Sequence, residues 1–261
     1  MRMIFKQRLL QRLLTLVVLM FCLTVLGRNA NDRPVAGTKE SPPSVEQTQS
    51  PTVTAQTQPG APLVISSPRI ISNDGQYAET GFELINVSNK PIRAYAIRQE
   101  LDTGGKRSST FSLSNLDLSN APPLQVNHST TNYDTTELSA GNDPHISFSV
   151  TYVEFSDGAT WGPDSARFAE RSAGQRAAAT FISKRLMKNL IGGGPADVMR
   201  AIESGEANIE PPAARSDEWK EGFQHGLNSI AARLKRAQTK GGPNEVEFEL
   251  RRLDKKFNGV N

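Results

Sequence analysis

Three segments in the middle of the chain alternate apolar and polar positions with a period of two, which predicts strands with one buried face. In segment 146–152 the shared face carries Ile146, Phe148, Val150 and Tyr152. In segment 77–87 it carries Ala78, Thr80, Phe82 and Leu84, and in the next segment it carries Ile92, Ala94 and Ala96. We therefore expect these residues to line the interior of a β domain.

Turn residues separate these segments. Asp74-Gly75 and Asp157-Gly158 are strong hairpin signals, and Gly104-Gly105 predicts a third turn. Roughly six or seven short strands within residues 63–163 are typical of an antiparallel two-sheet sandwich of the immunoglobulin type. The polar stretch from His128 to His145 is expected to be a loop between strands.

After Pro163 the apolar period lengthens to that of a helix, so residues 164–261 predict a helical tail. Gly-Gly-Pro at 193–195 and again at 241–243 is expected to end a helix each time, giving helical hairpins. Ser216 predicts the start of the second hairpin as an N-cap. One stripe of this hairpin is the candidate interaction surface: Trp219, Phe223, Leu227, Ile230 and Leu234. We expect it to pack on neighbouring helices, on the β domain or on a partner protein, and not to bind a small molecule.

A shift of 48 residues aligns the tail with itself without gaps. Within the window Arg167–Val198 the shift superposes ten identical residues, including Gly174 on Gly222 and Pro195 on Pro243. Periods near this length are typical of repeated helical units. Two interpretations of this self-similarity remain open. It is either a tandem helix-Gly-Gly-Pro-helix duplication, or two unrelated helices that share the same helix-ending residues.

The first 62 residues predict a targeting segment and a tether. Four basic residues precede an apolar run from Leu13 to Leu26, which within residues 1–27 indicates a secretory signal cleaved after Gly27 or a short membrane anchor. A buried amphipathic helix is the alternative. Residues 28–62 are rich in Pro, Ser, Thr and Gln and predict a disordered linker. Cys22 is the one cysteine, so no intramolecular disulfide can form, which favours a bacterial envelope over a small disulfide-rich secreted scaffold.

Charge is distributed unevenly although the net charge is only +3. Residues 63–163 carry 6 basic and 11 acidic side chains, net −5, whereas residues 164–261 carry 17 and 13, net +4. The basic clusters around Arg233 and Arg251 are interleaved with acids, and we interpret them as solvated helix faces. We expect no nucleic-acid partner.

One resemblance covers the β domain alone. The run from Gly81 to Ile92, with its Asn86-x-Ser88 turn, and the ending Val153–Gly158 resemble bacterial exported immunoglobulin-like domains of the FxLYD type. The chain departs from that pattern where Ile85-Asn86 replaces a Tyr-Asp pair. The resemblance implies an adhesion or scaffold module.

No motif for nucleophilic, phosphate-binding or zinc-dependent catalysis is present. His128, Asp143 and His145 could together bind a metal ion, but a solvated loop explains these three residues better. We expect no catalytic residue, metal ligand or cofactor.

The sequence favours a non-catalytic binding or scaffolding protein of the cell envelope, in the periplasm, on the outer face of the inner membrane, or secreted after cleavage. Its expected partners are the membrane, if the N-terminal segment is retained, and an envelope protein. The alternative is an envelope hydrolase or carbohydrate-active enzyme that uses the sandwich loops.

Overall fold

A computed structural model of the chain describes residues 51–119, 121–138, 144–206 and 209–259. The expected targeting segment 1–27 and most of the expected linker lie outside these ranges. Among the described residues, no helix combines the length and the apolar character that crossing a membrane requires. Two sheets of mostly antiparallel strands are followed by two helices, so the architecture is α+β.

The strands are β1 Thr52–Gln56, β2 Leu63–Asn73, β3 Tyr77–Asn86, β4 Ile92–Asp102, β5 Arg107–Asn115, β6 Ser129–Glu137, β7 His145–Phe155 and β8 Thr160–Trp161. The helices are α1 Phe168–Glu203 and α2 Asp217–Asn258. The larger sheet has the strand order β1-β7-β4-β5, with β8 paired to β7, and the smaller sheet has the order β2-β3-β6. Among these described strands, every pairing is antiparallel except that of β1 with β7.

The three glycine turns join the strands that the sequence predicts. Asp74-Gly75 connects β2 to β3, Gly104-Gly105 connects β4 to β5, and Asp157-Gly158 connects β7 to β8. The glycines of these turns have φ between 71° and 127°, a region that side chains with a Cβ rarely enter.

The two sheets share one apolar core. Ala78, Phe82 and Leu84 of β3 face it, as the alternation predicts, and the ring of Phe82 lies 4.6 Å from that of Phe148. Phe148 and Leu84 are fully buried. The two sheets therefore pack face to face, in the manner of a layered β domain.

Two bulges change which residues face this core. A register shift between β4 and β7 leaves Thr151 unpaired, so Tyr152 turns away from Phe148 and packs outside the sheet on Ala96 and Phe168. A second shift at Arg93 turns Ile92 into the core, away from the face of Ala96. The prediction of one continuous face was wrong at these residues, because an extra residue in one strand reverses the alternation beyond it.

The prediction that the disordered linker reaches residue 62 was wrong, because part of its C-terminal end is a strand. Residues 52–56 form β1, which pairs in parallel with β7 from Thr52 opposite His145 to Gln56 opposite Ser149. Val53 and Ala55 pack against the core, while Thr52 and Thr54 face His145. This short alternation of β-branched and polar residues is a strand signal that the surrounding prolines conceal.

The helices form a second core between them, and each is divided by a kink at its Gly-Gly-Pro. Each is interrupted at a single residue, Gly194 (φ 74°, ψ −170°) and Gly242 (φ 66°, ψ −153°). Proline follows directly, at the first position of the resumed helix, where its missing N–H costs no hydrogen bond. The prediction that these tripeptides each end a helical segment is therefore confirmed, whereas the arrangement of the segments as hairpins stays a prediction. Ser216 caps α2 as predicted, accepting from the backbone N–H of Trp219.

Candidate binding cleft

The β domain is open along one side, where β5 and β6 lie at the margins of their sheets. Strand β5 pairs only with β4, and β6 pairs only with β3, among the described strands. A cleft of about 370 Å³ lies between the two strands. Its lining residues are Gln99, Leu101, Ser108, Thr110, Phe111, Ser112, Asp134, Thr135, Thr136 and Glu137.

Small hydroxyl side chains leave this space unfilled. The inward positions of β5 are Ser108, Thr110 and Ser112, whereas Leu113 faces outward and packs beside Ala96 and Phe168. Elsewhere between the sheets the inward positions carry Phe, Leu, Ile and Val. Because serine and threonine are too short to reach the opposite sheet, which lies about 10 Å away in such packings, the apolar core stops before this side.

Polar contacts hold the walls of the cleft. The amide of Gln99 donates to the hydroxyl of Thr136 across the sheets at 2.5 Å, and Thr110 donates to Gln99 at 3.0 Å. Deeper in, the hydroxyl of Tyr95 donates to the side-chain oxygen of Asn132 at 3.2 Å. These contacts fix the position of β6 relative to β4 without closing the space between them.

Asp134 is the charged group inside the cleft. It points inward from β6 and is half-buried, and burial raises the pKa of its carboxyl above the ordinary value. The backbone N–H of Thr135 donates to it at 2.9 Å, which offsets only part of that effect. No lysine, arginine or histidine of the described chain forms an ion pair with it. The carboxylate is therefore available to a cation from outside.

Phe111 lines the same cleft at the margin of β5. Its side chain is 48% exposed although it is aromatic. The guanidinium of Arg98 lies 5.8 Å from the ring centroid, and the ring of Phe168 lies 5.7 Å away. The cleft thus combines hydroxyl groups, one inward carboxylate and one apolar ring.

A buried ion cluster, away from the cleft residues Gln99 and Leu101, attaches α1 to the outer face of the larger sheet. Arg176 contacts both oxygens of Glu154, at 2.9 and 3.1 Å, and Arg93 contacts Oε1 at 2.5 Å. Burial alone would raise the pKa of Glu154, but the charge and hydrogen bonds of Arg176, joined by those of Arg93, hold it below its ordinary value. Asn115, the last residue of β5, donates to Gln175 of α1 at 3.1 Å. The sheet that carries β5 is therefore braced by the helices.

The α2 stripe predicted as an interaction surface is buried in the core between the two helices. All five residues of the stripe from Trp219 to Leu234 belong to the helical core with Ile182 and Leu186 of α1, and Trp219, the most accessible of them, is 9% exposed. A partner could reach these side chains only by separating α1 from α2. The stripe packs on the first helix because Gly174, Gly222 and Gly226 allow the two backbones to approach closely.

The polar stretch interpreted as a loop contains β6. The prediction of a loop was wrong here, because Thr130, Thr131, Thr135 and Thr136 give residues 129–137 the β-branched character of a strand, which outweighs the turn preference of Asp and Asn. Both ring nitrogens of His145 lie near the hydroxyls of Thr52 and Thr54, at 2.9 and 3.1 Å, and Asp143 lies outside the described residues. No group of three or more potential metal ligands is found within the described ranges.

A second cleft, of about 360 Å³, lies beside the interruption of α2, lined in part by Arg233, Arg236 and Lys240. Its most buried cation is already satisfied within the fold, because Arg233 pairs with Glu249 and donates to the carbonyl of Leu118 at 2.7 Å. Lys256 likewise donates to the carbonyls of Leu116 and Ser119 at 3.3 Å. These contacts attach α2 to the segment after β5.

Comparison with known proteins gives no family. No family model and no curated protein matches the chain. Solved structures match the chain only at low similarity, as two of them illustrate. The Northeast Structural Genomics crystal structure assigned as ApaA from Bordetella pertussis has 12% identity and a TM-score of 0.28, covering 38% of this chain and 84% of that one. The consortium's target SoR45 has 13% identity and a TM-score of 0.30, covering 38% and 79%.

Proposed function

We propose that this protein is a non-catalytic binding protein of the cell envelope and that its binding site is the cleft between β5 and β6. The observation that carries the proposal is the open side of the β domain. Among the described strands, two adjacent strand margins are unpaired there, and the space between them is lined by hydroxyl groups in place of an apolar core. Pockets with a few placed polar groups are the usual binding sites of proteins.

The rest of the fold supports a role in presenting this cleft to a partner outside the cytoplasm. Two face-to-face sheets with three glycine hairpins suit an immunoglobulin-like sandwich, the fold that the FxLYD resemblance implies. The helical tail, which we interpret as two repeated hairpins, braces the larger sheet through Glu154 and Arg176. The basic N-terminus and the apolar run from Leu13 to Leu26 support export.

Photocrosslinking in living cells tests the site. A photoreactive phenylalanine analogue replaces Ser109, an exposed residue of β5, and the matched control replaces Ser72, an exposed residue of β2. We expect a discrete adduct with an envelope protein from position 109 and none from position 72. A second substitution that fills the cleft, Thr110→Trp, should remove the adduct while the melting temperature is retained. Equal adducts from both positions, or none from position 109, would contradict the proposal.

Export is tested separately on the full chain. A reporter enzyme that is active only outside the cytoplasm, fused after Asn261, should be active, and replacing Arg2, Lys6, Arg8 and Arg12 by glutamate should abolish that activity. Activity of a cytoplasm-only reporter at the same junction would contradict an envelope location. Mass spectrometry of the mature N-terminus distinguishes cleavage after Gly27 from a retained anchor.

A carbohydrate-active hydrolase is the second candidate, because two carboxylates, Asp134 and Glu137, line the same cleft. Such enzymes place two carboxyl groups on either side of one bond. Residues three apart in a strand point to opposite faces, so Asp134 faces inward and Glu137 lies at the mouth of the cleft. This divergence favours binding over hydrolysis. Turnover of envelope glycans that is lost in Asp134→Asn would reverse the preference.

A further inference from the structure

The five marginal strands among those described differ in how well they are protected against pairing with another chain. Natural proteins protect such strands by shortness, proline, bulges or an inward-pointing charge. Strands β1 and β8 have only 5 and 2 residues. Strand β2 has two register shifts and contains Pro68, next to Ser67 at φ 51°. Strand β6 carries Asp134 on its inward face. Each of these four therefore resists an added strand.

Strand β5 has none of these protections. It runs for 9 residues, and its pairing with β4 continues without a register shift from Asn115 to Arg107. It contains no proline, and its inward side chains Ser108, Thr110 and Ser112 are small and uncharged. The one charge on the strand, Arg107, lies at its end and is paired with Asp102 at 2.8 Å. A long, regular strand of this kind offers a row of free backbone donors and acceptors.

The charge of the cleft indicates what would lie against β5. An added strand would extend the larger sheet about 4.8 Å beyond β5, and alternate side chains would point into the cleft towards β6. Within the part of the chain that the structure describes, the lining includes two carboxylates and no lysine, arginine or histidine. Asp134 faces that space without an ion-pair partner from the described chain, so an inserted cation would meet a complementary charge.

We infer that β5 binds an extended segment of a partner protein by strand addition, and that a lysine or arginine of this segment enters the cleft beside Asp134. The inference rests on the proposed function, whose site it uses. Backbone pairing supplies the affinity, and the alternating side chains supply the selectivity. The remaining inward positions take small polar residues that match Ser108, Thr110 and Ser112, whereas the outward positions contact Phe111.

A designed nine-residue peptide tests both parts on the full chain. The probe is Thr-Val-Thr-Val-Lys-Val-Thr-Val-Thr with blocked ends, which places threonine and lysine on one face and valine on the other. Matched probes carry glutamine or glutamate at the centre, and a fourth carries N-methylated valines that cannot donate hydrogen bonds. Binding is measured by fluorescence anisotropy, and hydrogen exchange of the β5 amides reports the place of binding.

We expect the lysine peptide to bind at least tenfold more tightly than the glutamate peptide, and Asp134→Asn to remove most of that difference. Amide exchange should slow in β5 and stay unchanged in β2, and the N-methylated peptide should not bind. Equal affinities of the lysine, glutamine and glutamate peptides would overturn the assignment of the cation.

Two other outcomes would overturn strand addition itself. Failure of every peptide to protect β5, while the photocrosslink from position 109 still forms, would remove the strand mode and leave the proposed function standing. If sedimentation showed that the protein alone forms a dimer that Thr110→Pro abolishes, the occupant of β5 would be a second copy of this chain. Absence of both peptide protection and the crosslink would remove the proposed function as well.

Discussion

Gly174 of α1 and Gly222 of α2 lie at reciprocal positions in the contact between the helices. A Cβ on Gly174 would lie 2.1 Å from the carbonyl oxygen of Trp219, and a Cβ on Gly222 would lie 2.1 Å from that of Arg171. The 48-residue shift superposes Gly174 on Gly222 and Arg171 on Trp219, so the two contacts exchange under the same shift. The interface therefore has the reciprocity of a two-fold symmetric dimer within one chain.

Alanine at either glycine should separate the helices. We expect Gly174→Ala and Gly222→Ala each to lower the free energy of unfolding by about 1–3 kcal/mol or more, as overpacking does. Gly192→Ala is the control, because nothing lies within 4 Å of its Cβ position, and it should gain roughly 0.5–1 kcal/mol of helix propensity. Chemical denaturation followed by circular dichroism measures all three. If Gly174→Ala matched Gly192→Ala, the close approach of the backbones would be disproved.

Removing Arg176 should weaken the attachment of α1 to the larger sheet. Arg176→Met keeps most of the side-chain volume but leaves the buried Glu154 with Arg93 alone. We expect a loss of about 3 kcal/mol, the low end for a broken buried pair because Arg93 remains. Arg251→Ala, which removes an exposed pair with Glu247, should cost under about 0.5 kcal/mol. Comparable losses in the two variants would show that the Glu154 cluster adds nothing to stability.

The same cluster should make stability depend on pH in acid. Because the pKa of Glu154 is lowered in the folded protein, its ionised form stabilises the fold above the unfolded value near 4.3, and this contribution is lost as pH falls through the folded value. Glu154→Gln should therefore be less stable than the natural chain at pH 7, and the difference should shrink between about pH 4 and pH 2. Unfolding curves at several pH values measure it. A difference that stays constant over this range would show that the carboxylate charge is not the cause.

Phe148 should be among the most costly side chains to truncate in the β domain. It is fully buried, and its ring centroid lies 4.6 Å from that of Phe82, with the two ring planes tilted by 40°. Phe148→Ala should cost about 3–5 kcal/mol, whereas Phe248→Ala, at a position 63% exposed, should cost under about 1 kcal/mol. Denaturant titration of both variants provides the comparison. A loss below 1 kcal/mol for Phe148→Ala would place the core elsewhere.

Local sequence signals predicted the strands and turns more reliably than they predicted which side chains face the core. Asp-Gly and Gly-Gly turns act through the φ of one or two residues, so the three hairpins followed directly from the sequence. The orientation of Tyr152 did not, because the unpaired Thr151 is defined only by the partner strand β4. A bulge is a property of a pair of strands, and one strand read alone gives no sign of it.

The candidate site was missed for a related reason. Ser108, Thr110 and Ser112 look like an ordinary solvated strand face, and only the layering of the sheets shows that they point towards β6. The apolar stripe of α2 has a strong helical periodicity, so the sequence favours it as the interaction surface. Whether such a stripe meets solvent, a partner or the same chain depends on α1, which the local pattern does not contain.

The parallel pairing of β1 with β7 has a mechanical consequence. The five residue pairs run from Thr52 opposite His145 to Gln56 opposite Ser149, so the beginnings of both strands lie at the same end. A pulling force between the start of β1 and the end of β7, from which the chain continues through β8 to α1, slides the strands along each other and loads all five pairs together in shear. The hydrogen bonds cannot open one at a time, as they would in a peeled hairpin. Tension that reaches the chain from its N-terminal side therefore meets the most resistant arrangement that so short a strand can offer.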